Sequence, residues 1–390
     1  MIVRITFRMN YQIFLSYSMN SIRKKIEKVM YSEEKSRFFS VEFFLLIASV
    51  FYGVIVRIRN ILYNIMIFKQ KKLRCKVISV GNISVGGTGK TPMTIYLAEM
   101  LTMLGYKVVV ISRGYKGKFE KKGGIVSNGK EILTGSDDSG DEPFLMAAKL
   151  KDIPVVVGQN RYDAGLLAIK NFSPEVILLD DAFQHIKLFR DIDLLLLDSE
   201  RPFGNLHLIP RGILREPAAS IKRADALILT RSFSDNTEAR DAISEVSDKK
   251  PVFDAYNTFY FFRVKKGDVS NQVQAFRNKL SEDFGSFAGK QVVAFSGIAG
   301  NDHFRKSLDV FKCDLLEFFG FPDHYMYTAG DIERISKSVR DGKADFLMTT
   351  EKDFARMGGK FIFPVDIFVV GVKMCLKEEK SFRDFILSKL

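Results

Sequence analysis

The chain has 390 residues, 46% of them hydrophobic and 27% charged, with a net charge of +13. This excludes a disordered or fibrous chain and leaves room for two domains. It also favours an anionic partner, whether nucleic acid, an anionic membrane or a phosphorylated substrate, although a lysine-rich solvated surface accounts for the charge equally well. The three cysteines, Cys75, Cys313 and Cys375, form no C-x-x-C pair, which argues against a disulfide framework or a zinc site and fits a reducing compartment.

Residues 1–40 are basic and irregular, and Met1, Met19 and Met30 all remain open as the starting residue. Residues 41–70 follow as a hydrophobic segment. Phe43 to Val56 is a run of 14 residues without a charge, short of the roughly 20 that a full span needs. Arg57 and Arg59 come next, then more apolar residues up to "KQKK". This predicts one long helix that dips into or lies on a membrane, with basic residues at headgroup level. The competing reading is a helix buried against the main domain. No small-residue cleavage site follows, so a removed signal peptide is not expected.

From Lys76, strands and helices alternate. "KVISV" is an apolar β-branched strand, and "TPMTIYLAEMLTMLG" has helical spacing with Gly105 as its C-cap. Between them lies "GNISVGGTGK". The loop G-x-x-x-x-G-K-[ST] would need glycine where Ser84 stands, but Gly86, Gly87, Thr88 and Gly89 can bring backbone N–H groups close to phosphate. Lys90 can reach the outer phosphates, and the Thr91 hydroxyl can ligate Mg²⁺. A glycine-rich turn with a chance Gly-Lys-Thr is the alternative. The strand before and the helix after it favour the phosphate site.

"KVVVIS" is the next strand and ends in "SRGYKGK", which contains Arg113 and Tyr115. The stretch Tyr115 to Ile132 is basic and glycine-rich and reads as a hairpin or mobile loop. "SGDEP" puts Asp141 and Glu142 at a helix start, where the helix dipole alone accounts for acidic residues. The other reading makes Asp141 a general base for a phosphoryl acceptor. "EVILLDD" is a continuous apolar strand, as in buried parallel sheets, ending in Asp180 and Asp181, where a nucleotide site needs carboxylates for Mg²⁺. Gln184 and His185 follow on the same loop. "FGNLHLIPRGILREP" carries Arg211, Arg215 and Glu216 in a Gly/Pro-punctuated segment suited either to anion contact or to an ordinary surface loop. Repeated β-α-β units predict a doubly wound, mostly parallel α/β domain over 71–250. An aromatic extended linker is expected at 251–268. A smaller α/β domain over 269–390 includes His324 in "FPDHY", a lone histidine that is more often structural.

Together these segments resemble the tetraacyldisaccharide 4′-kinases, the lipid A kinases of Gram-negative bacteria. The resemblance rests on "LIASVFYGVIVRIRNILY", "VGNISVGGTGKTP", "SRGY", "GDEP", "GQNRYDA", "LLDDAFQH", "PFGN…PRGILREP", "ADALILTR", "FSGIAG", "FPDHY" and "TTEKDFAR", in the family's order over roughly residues 43–356. Ala182 departs from it, standing where the family more often has glycine.

The resemblance implies transfer of the ATP γ-phosphate to the 4′-hydroxyl of a tetraacyldisaccharide 1-phosphate, with Mg²⁺. It implies a monomer held peripherally or monotopically on the cytoplasmic face of the inner membrane, in contact with anionic lipids. It also implies a P-loop domain joined by a two-stranded ribbon to a smaller domain. Lys90 and Thr91 would hold phosphates and metal, Asp180 and Asp181 would sit at the metal, and Gln184 and His185 would lie beside the nucleotide. Asp141 would be the base, assisted by His324 across the cleft, with Lys90 contributing to catalysis. Arg113, Tyr115, Arg215 and Glu216 would lie near the substrate. The alternatives are a membrane-associated P-loop NTPase acting as a switch, or a nucleic-acid binder. No Lys/Arg cluster interleaved with aromatics supports the latter, so no nucleic-acid partner is expected.

Overall fold

The computed structural model describes residues 26, 28–32, 39–233, 236–247, 249–267, 276 and 287–390. Most of the first 40 residues and most of 268–286 therefore lie outside the described residues. The elements that build the site are, in chain order, α1 (Val41–Asn64), β1 (Lys76–Asn82), α2 (Lys90–Met103), β2 (Val108–Ser112), β3 (Gly124–Ser127), α3 (Asp141–Lys149), β4 (Val155–Val157), α4 (Arg161–Phe172) and β5 (Val176–Asp180). They continue with β6 (Ile192–Asp198), β7 (Ala226–Thr230), β8 (Val252–Val264), β9 (Gln291–Ser296), β10 (Asp314–Gly320), α5 (Ala329–Gly342), β11 (Phe346–Thr350), α6 (Glu351–Met357), β12 (Ile367–Leu376) and α7 (Glu379–Leu387).

The twelve strands among the described residues form one sheet, in the order β10-β9-β11-β12-β8-β7-β6-β1-β5-β2-β4-β3. β1 runs parallel to β5 and β6 at the centre of the larger half, and its residues beyond Lys76 are buried, as expected for an apolar parallel strand. Part of the stretch expected as a hairpin or loop supplies β3, which pairs antiparallel with β4 at the sheet edge.

The two halves are joined by a ten-pair antiparallel ladder between β8 and β12, running from Ile367↔Val264 to Leu376↔Ala255. The linker expected over 251–268 is thus one strand of the ribbon, and its partner comes from near the chain's end. β7 pairs with the start of β8, and β11 pairs with the start of β12. Because β8 and β12 are antiparallel, the parallel strands of the two halves point their carboxyl ends toward each other over the middle of the ribbon. The resulting cleft is floored by Asn257, Phe259, Val370 and Val372. Sites in open α/β sheets lie at strand carboxyl ends, and here two such edges face one space.

After β12 the chain re-enters the larger half. Phe382 and Ile386 of α7 are fully buried in the core that contains Phe253, Met374 and Leu376. The terminal helix, expected within a 269–390 domain, therefore packs with the first half.

The N-terminal helix α1 is capped by Ser40, which accepts from the Phe43 N–H at 3.3 Å. Its polarity is inverted relative to a soluble amphipathic helix. Ser49, Gly53 and Val56 are its buried residues, while Phe44, Val50, Phe51, Ile55, Ile58 and Ile61 are exposed. Ser49 Oγ donates to the Leu208 carbonyl at 2.8 Å and accepts from the Arg211 N–H at 2.9 Å, and Tyr52 Oη donates to the Arg215 carbonyl at 2.8 Å. Gly53 eases this approach, since a Cβ there would lie 2.8 Å from Leu208 Cδ1 and push that side chain aside. The helix is long and apolar enough to cross a membrane.

Candidate active site

The glycine loop links β1 to α2 and takes its shape from two glycines with positive φ, Gly86 (+110°) and Gly89 (+81°). Ser84 forms a β-bridge with Leu214, and the adjacent Arg215 N–H donates to the Ile83 carbonyl at 2.6 Å. Extended backbone requires no glycine, so serine at this position costs the loop nothing. Asn82 Nδ2 donates to Thr88 Oγ1 at 2.9 Å, which ties the loop to the end of β1 and leaves the hydroxyl proton free to donate. Arg231 donates to the Gly87 carbonyl at 3.1 Å and pairs with Asp198, bracing the loop from the end of β7.

Lys90, in the first turn of α2, lies 3.7 Å from Asp181 Oδ1, and Arg215 lies 3.1 Å from the same oxygen. Burial lowers the Lys90 pKa, with Asp181 acting against it. Burial would raise Asp181, but Lys90 and Arg215 outweigh that and hold it below the usual carboxylate value. Its neighbour Asp180 is 1% exposed and accepts from Thr94 and Ser112, each at 3.2 Å. Burial, then the charges of Glu142 and Asp181, push its pKa up to about 7. A cation beside these carboxylates would relieve that repulsion.

Gln184 donates to the Asn82 carbonyl at 2.8 Å. His185 is driven to about 4 by burial and then by Arg161, so it is neutral at pH 7, and its Nε2 is buried without a hydrogen-bond partner. Arg161, in the first turn of α4, donates to the Asp180 and Gly158 carbonyls and fixes the carboxylate loop from behind.

Across the cleft, His324 Nδ1 donates to Asp141 Oδ2 at 3.1 Å, joining residues 183 apart in sequence. Arg356 Nε donates to the same oxygen at 2.8 Å. Burial would raise Asp141, yet the hydrogen bonds from His324 and Arg356 keep it below its ordinary value. Glu142 pairs with Lys352 at 2.8 Å, and this partner, against burial, lowers its pKa. Tyr115 sits edge-on to His324, with ring centroids 5.9 Å apart. Arg113 turns to Glu120 at 2.8 Å on the rim of the cleft.

Glu216 is the exception among the expected site residues. It is 0% exposed and lies behind the cleft, bound to Arg223 (2.7 Å), Arg59 (3.2 Å) and Asn60 (3.1 Å). Its carboxylate is committed to holding α1, and it lies outside the residues lining the cleft, where Arg215 is found. The chain bends at these two residues, and the neighbours point opposite ways.

A family model for tetraacyldisaccharide-1-P 4′-kinase matches residues 41–390. The chain belongs to this family. The tetraacyldisaccharide 4′-kinase of Desulfatibacillum aliphaticivorans is 40% identical over 375 residues, covering 95% of this chain and 99% of that protein. That of Syntrophus aciditrophicus is 37% identical over 351 residues, covering 88% and 91%. The solved structure of LpxK from Aquifex aeolicus in complex with ATP superposes with a TM-score of 0.71 at 35% identity, covering 90% of this chain and 99% of that one. The chain is therefore an ATP-dependent kinase.

The kinase's own residues also fit Mg²⁺, the metal that the resemblance implies. The donors near Lys90 are a threonine hydroxyl and carboxylates, all hard oxygens, and Mg²⁺ is usually held by one or two carboxylates with substrate phosphates and water. No cluster of three or more His, Cys, Asp or Glu side chains suited to holding a metal occurs among the described residues. Arg356, Lys352, Arg231 and Arg161 carry much of the geometry but were given no role from sequence. "TTEKDFAR" marks the family, yet nothing in its spacing says that Lys352 and Arg356 cross to the first half, to Glu142 and Asp141.

Proposed function

We propose that the kinase transfers the ATP γ-phosphoryl group to the 4′-hydroxyl of tetraacyldisaccharide 1-phosphate, giving the 4′-phosphorylated lipid A precursor. The observation that carries this reading is the Asp141–His324 pair, 3.1 Å apart, in the cleft that also contains the phosphate loop. A switch NTPase needs a phosphate loop and carboxylates, but has no use for a base pair aimed at a second substrate.

In this reading the loop N–H groups of Gly86 to Gly89 and the Lys90 ammonium hold the β- and γ-phosphates. Thr91 with Asp180 or Asp181 holds Mg²⁺. Bound Mg²⁺ neutralises charge on the transferring phosphates. Asp141 receives the acceptor's hydroxyl proton, and His324 orients that carboxylate. Arg215 steadies Asp181, Gln184 and His185 border the nucleotide, and Arg113 and Tyr115 form the rim that the sugar meets. Closure of two strand edges over the ribbon excludes water and limits wasteful hydrolysis.

The outward apolar face of α1 seats the enzyme on the cytoplasmic face of the inner membrane, helped by the +13 charge against anionic lipids. It acts as a monomer. The test is transfer of label from γ-labelled ATP to the disaccharide 1-phosphate lipid. Labelled lipid is expected. Hydrolysis that ignores the lipid, with no labelled product, refutes the reading in favour of a switch NTPase.

A further inference from the structure

Asp141 belongs to the first half of the molecule, and His324 to the second. Something must hold them in register, and two bonds from one guanidinium do so. Arg356 Nε donates to Asp141 Oδ2 at 2.8 Å, while its Nη1 donates to the Gly297 carbonyl at 3.0 Å. The same carbonyl accepts the backbone N–H of His324 at 3.2 Å. His324 sits at φ +58°, a conformation that side chains other than glycine rarely adopt and that persists only when its surroundings enforce it. Nη1 also reaches the Tyr325 carbonyl at 3.5 Å, one residue further along the loop.

Arg356 is itself locked. Its side chain is 2% exposed, and its Nη1 donates to Asp353 Oδ1 at 3.0 Å. Asp353, 0% exposed, accepts in turn from Tyr327 Oη (2.8 Å), Thr350 Oγ1 (2.6 Å) and the Gly297 N–H (3.0 Å). A buried, fork-shaped cation whose partners are themselves hydrogen-bonded is a rigid jig, and lysine cannot reproduce two diverging bonds.

We propose that Arg356 is a positioning residue for phosphoryl transfer: from the second domain it aligns the Asp141 carboxylate and the His324 loop as one unit. The proposal rests on the reading of Asp141 as base. Both described bonds to Asp141 fall on Oδ2, which leaves Oδ1 to meet the acceptor hydroxyl. The site is then complete only when α6 is docked on α3, so a base without its second domain is neither oriented nor tuned. The charged and titratable groups around Asp141 are Glu142 on its own helix, Arg356, Lys352 and Asp353 from α6, His324 and Asp323 from the facing loop, and Tyr115 beside His324. Removing the nearest cation raises the basicity of Asp141 while loosening its aim.

The test uses the full-length enzyme with Arg356→Gln, Arg356→Lys, Asp141→Asn and the double variant Arg356→Gln/Asp141→Asn. Arg356→Gln is expected to lower kcat by about 10²-fold with the KM for ATP changed by less than about threefold, because the ATP contacts are elsewhere. The acid limb of its kcat/KM profile should move up by about one pH unit, which a merely structural loss would not produce. In the Asp141→Asn background the same change should cost less than about threefold more, since the two act as a unit.

Retained kcat with an unmoved acid limb in Arg356→Gln, or fully multiplicative losses in the double variant, overturns the proposal. Should Arg356→Gln fail to fold, Arg356→Lys decides. It keeps the charge but loses the fork, so kcat falls about tenfold with the acid limb in place, and wild-type turnover overturns the proposal. Near-normal turnover in Asp141→Asn instead refutes the base assignment itself. An inert Arg356→Gln beside an inactive Asp141→Asn refutes only the positioning role.

Discussion

Replacing Phe51 and Ile55 together by alanine tests whether the exposed face of α1 seats the enzyme on lipid. The two residues lie one turn apart on the same face, 69% and 66% exposed, away from the docked Ser49 and Gly53. Full burial of such a side chain is worth about 1.5–3 kcal/mol, so two-thirds of it, less the share alanine keeps, gives about 1–1.5 kcal/mol per site. The pair then contributes about 2–3 kcal/mol, a loss of about 30- to 150-fold in partition. Alanine favours helix, so the fold of α1 should be untouched. The assay is co-sedimentation with anionic and neutral vesicles at low and high salt, alongside turnover on a substrate dispersed in detergent. Vesicle binding should fall by that factor while detergent turnover is kept. Partition unchanged within about twofold would refute the claim that this face enters the bilayer.

Three further outcomes are expected. Gly89→Ala forces a side chain onto φ +81° with its Cβ 2.8 Å from Met374 Cε, and left-handed backbone costs about 1–2 kcal/mol per residue, so ATP binding measured by calorimetry should weaken about tenfold. Lys149→Met strands Glu351, 7% exposed and also bonded to Tyr260, and should cost about 3 kcal/mol in thermal unfolding. Lys149→Met/Glu351→Leu should recover most of this, because replacing a whole buried pair is nearly neutral. Asp141 and Glu142 both titrate below their ordinary values, so the stability they supply is present above about pH 4 and lost as pH falls through their lower folded values. Thermal melts between pH 3 and 5 should show this loss, and Asp141→Asn should flatten part of it.

Local chemistry was legible wherever one segment supplied it. The strand, glycine loop and helix around Lys90 could be read because phosphate needs backbone N–H groups, and only glycine frees them. "EVILLDD" likewise announced a buried strand with carboxylates at its end. What sequence could not show is pairing between distant segments. β12 reads as one more strand of the second unit, yet its register with β8 makes it half of the ribbon. Glu216 beside Arg215 reads as a second cleft residue, yet it faces α1. The Asp141–His324 pair came from the family pattern. Its third member, Arg356, did not, because a buried arginine in a short helix has no local signature.

The segment Leu208–Glu216 joins two features that sequence presents separately, the long apolar helix and the nucleotide loop. Its backbone receives Ser49 and Tyr52 of α1, and its Leu214 and Arg215 pair with Ser84 and Ile83 of the glycine loop. The Arg215 side chain then reaches Asp181. From apolar helix to carboxylate, every step is a direct hydrogen bond or β-bridge through a few residues. No flexible linker intervenes. A tethered kinase with a long linker would let its active site sample many heights above the bilayer. With α1 seated in lipid as proposed, the phosphate loop has one height, set by how deeply α1 sits. A substrate whose acyl chains remain in the bilayer presents its sugar hydroxyl at a similarly narrow depth. Matching the two removes a degree of freedom that the catalytic step would otherwise have to supply as entropy.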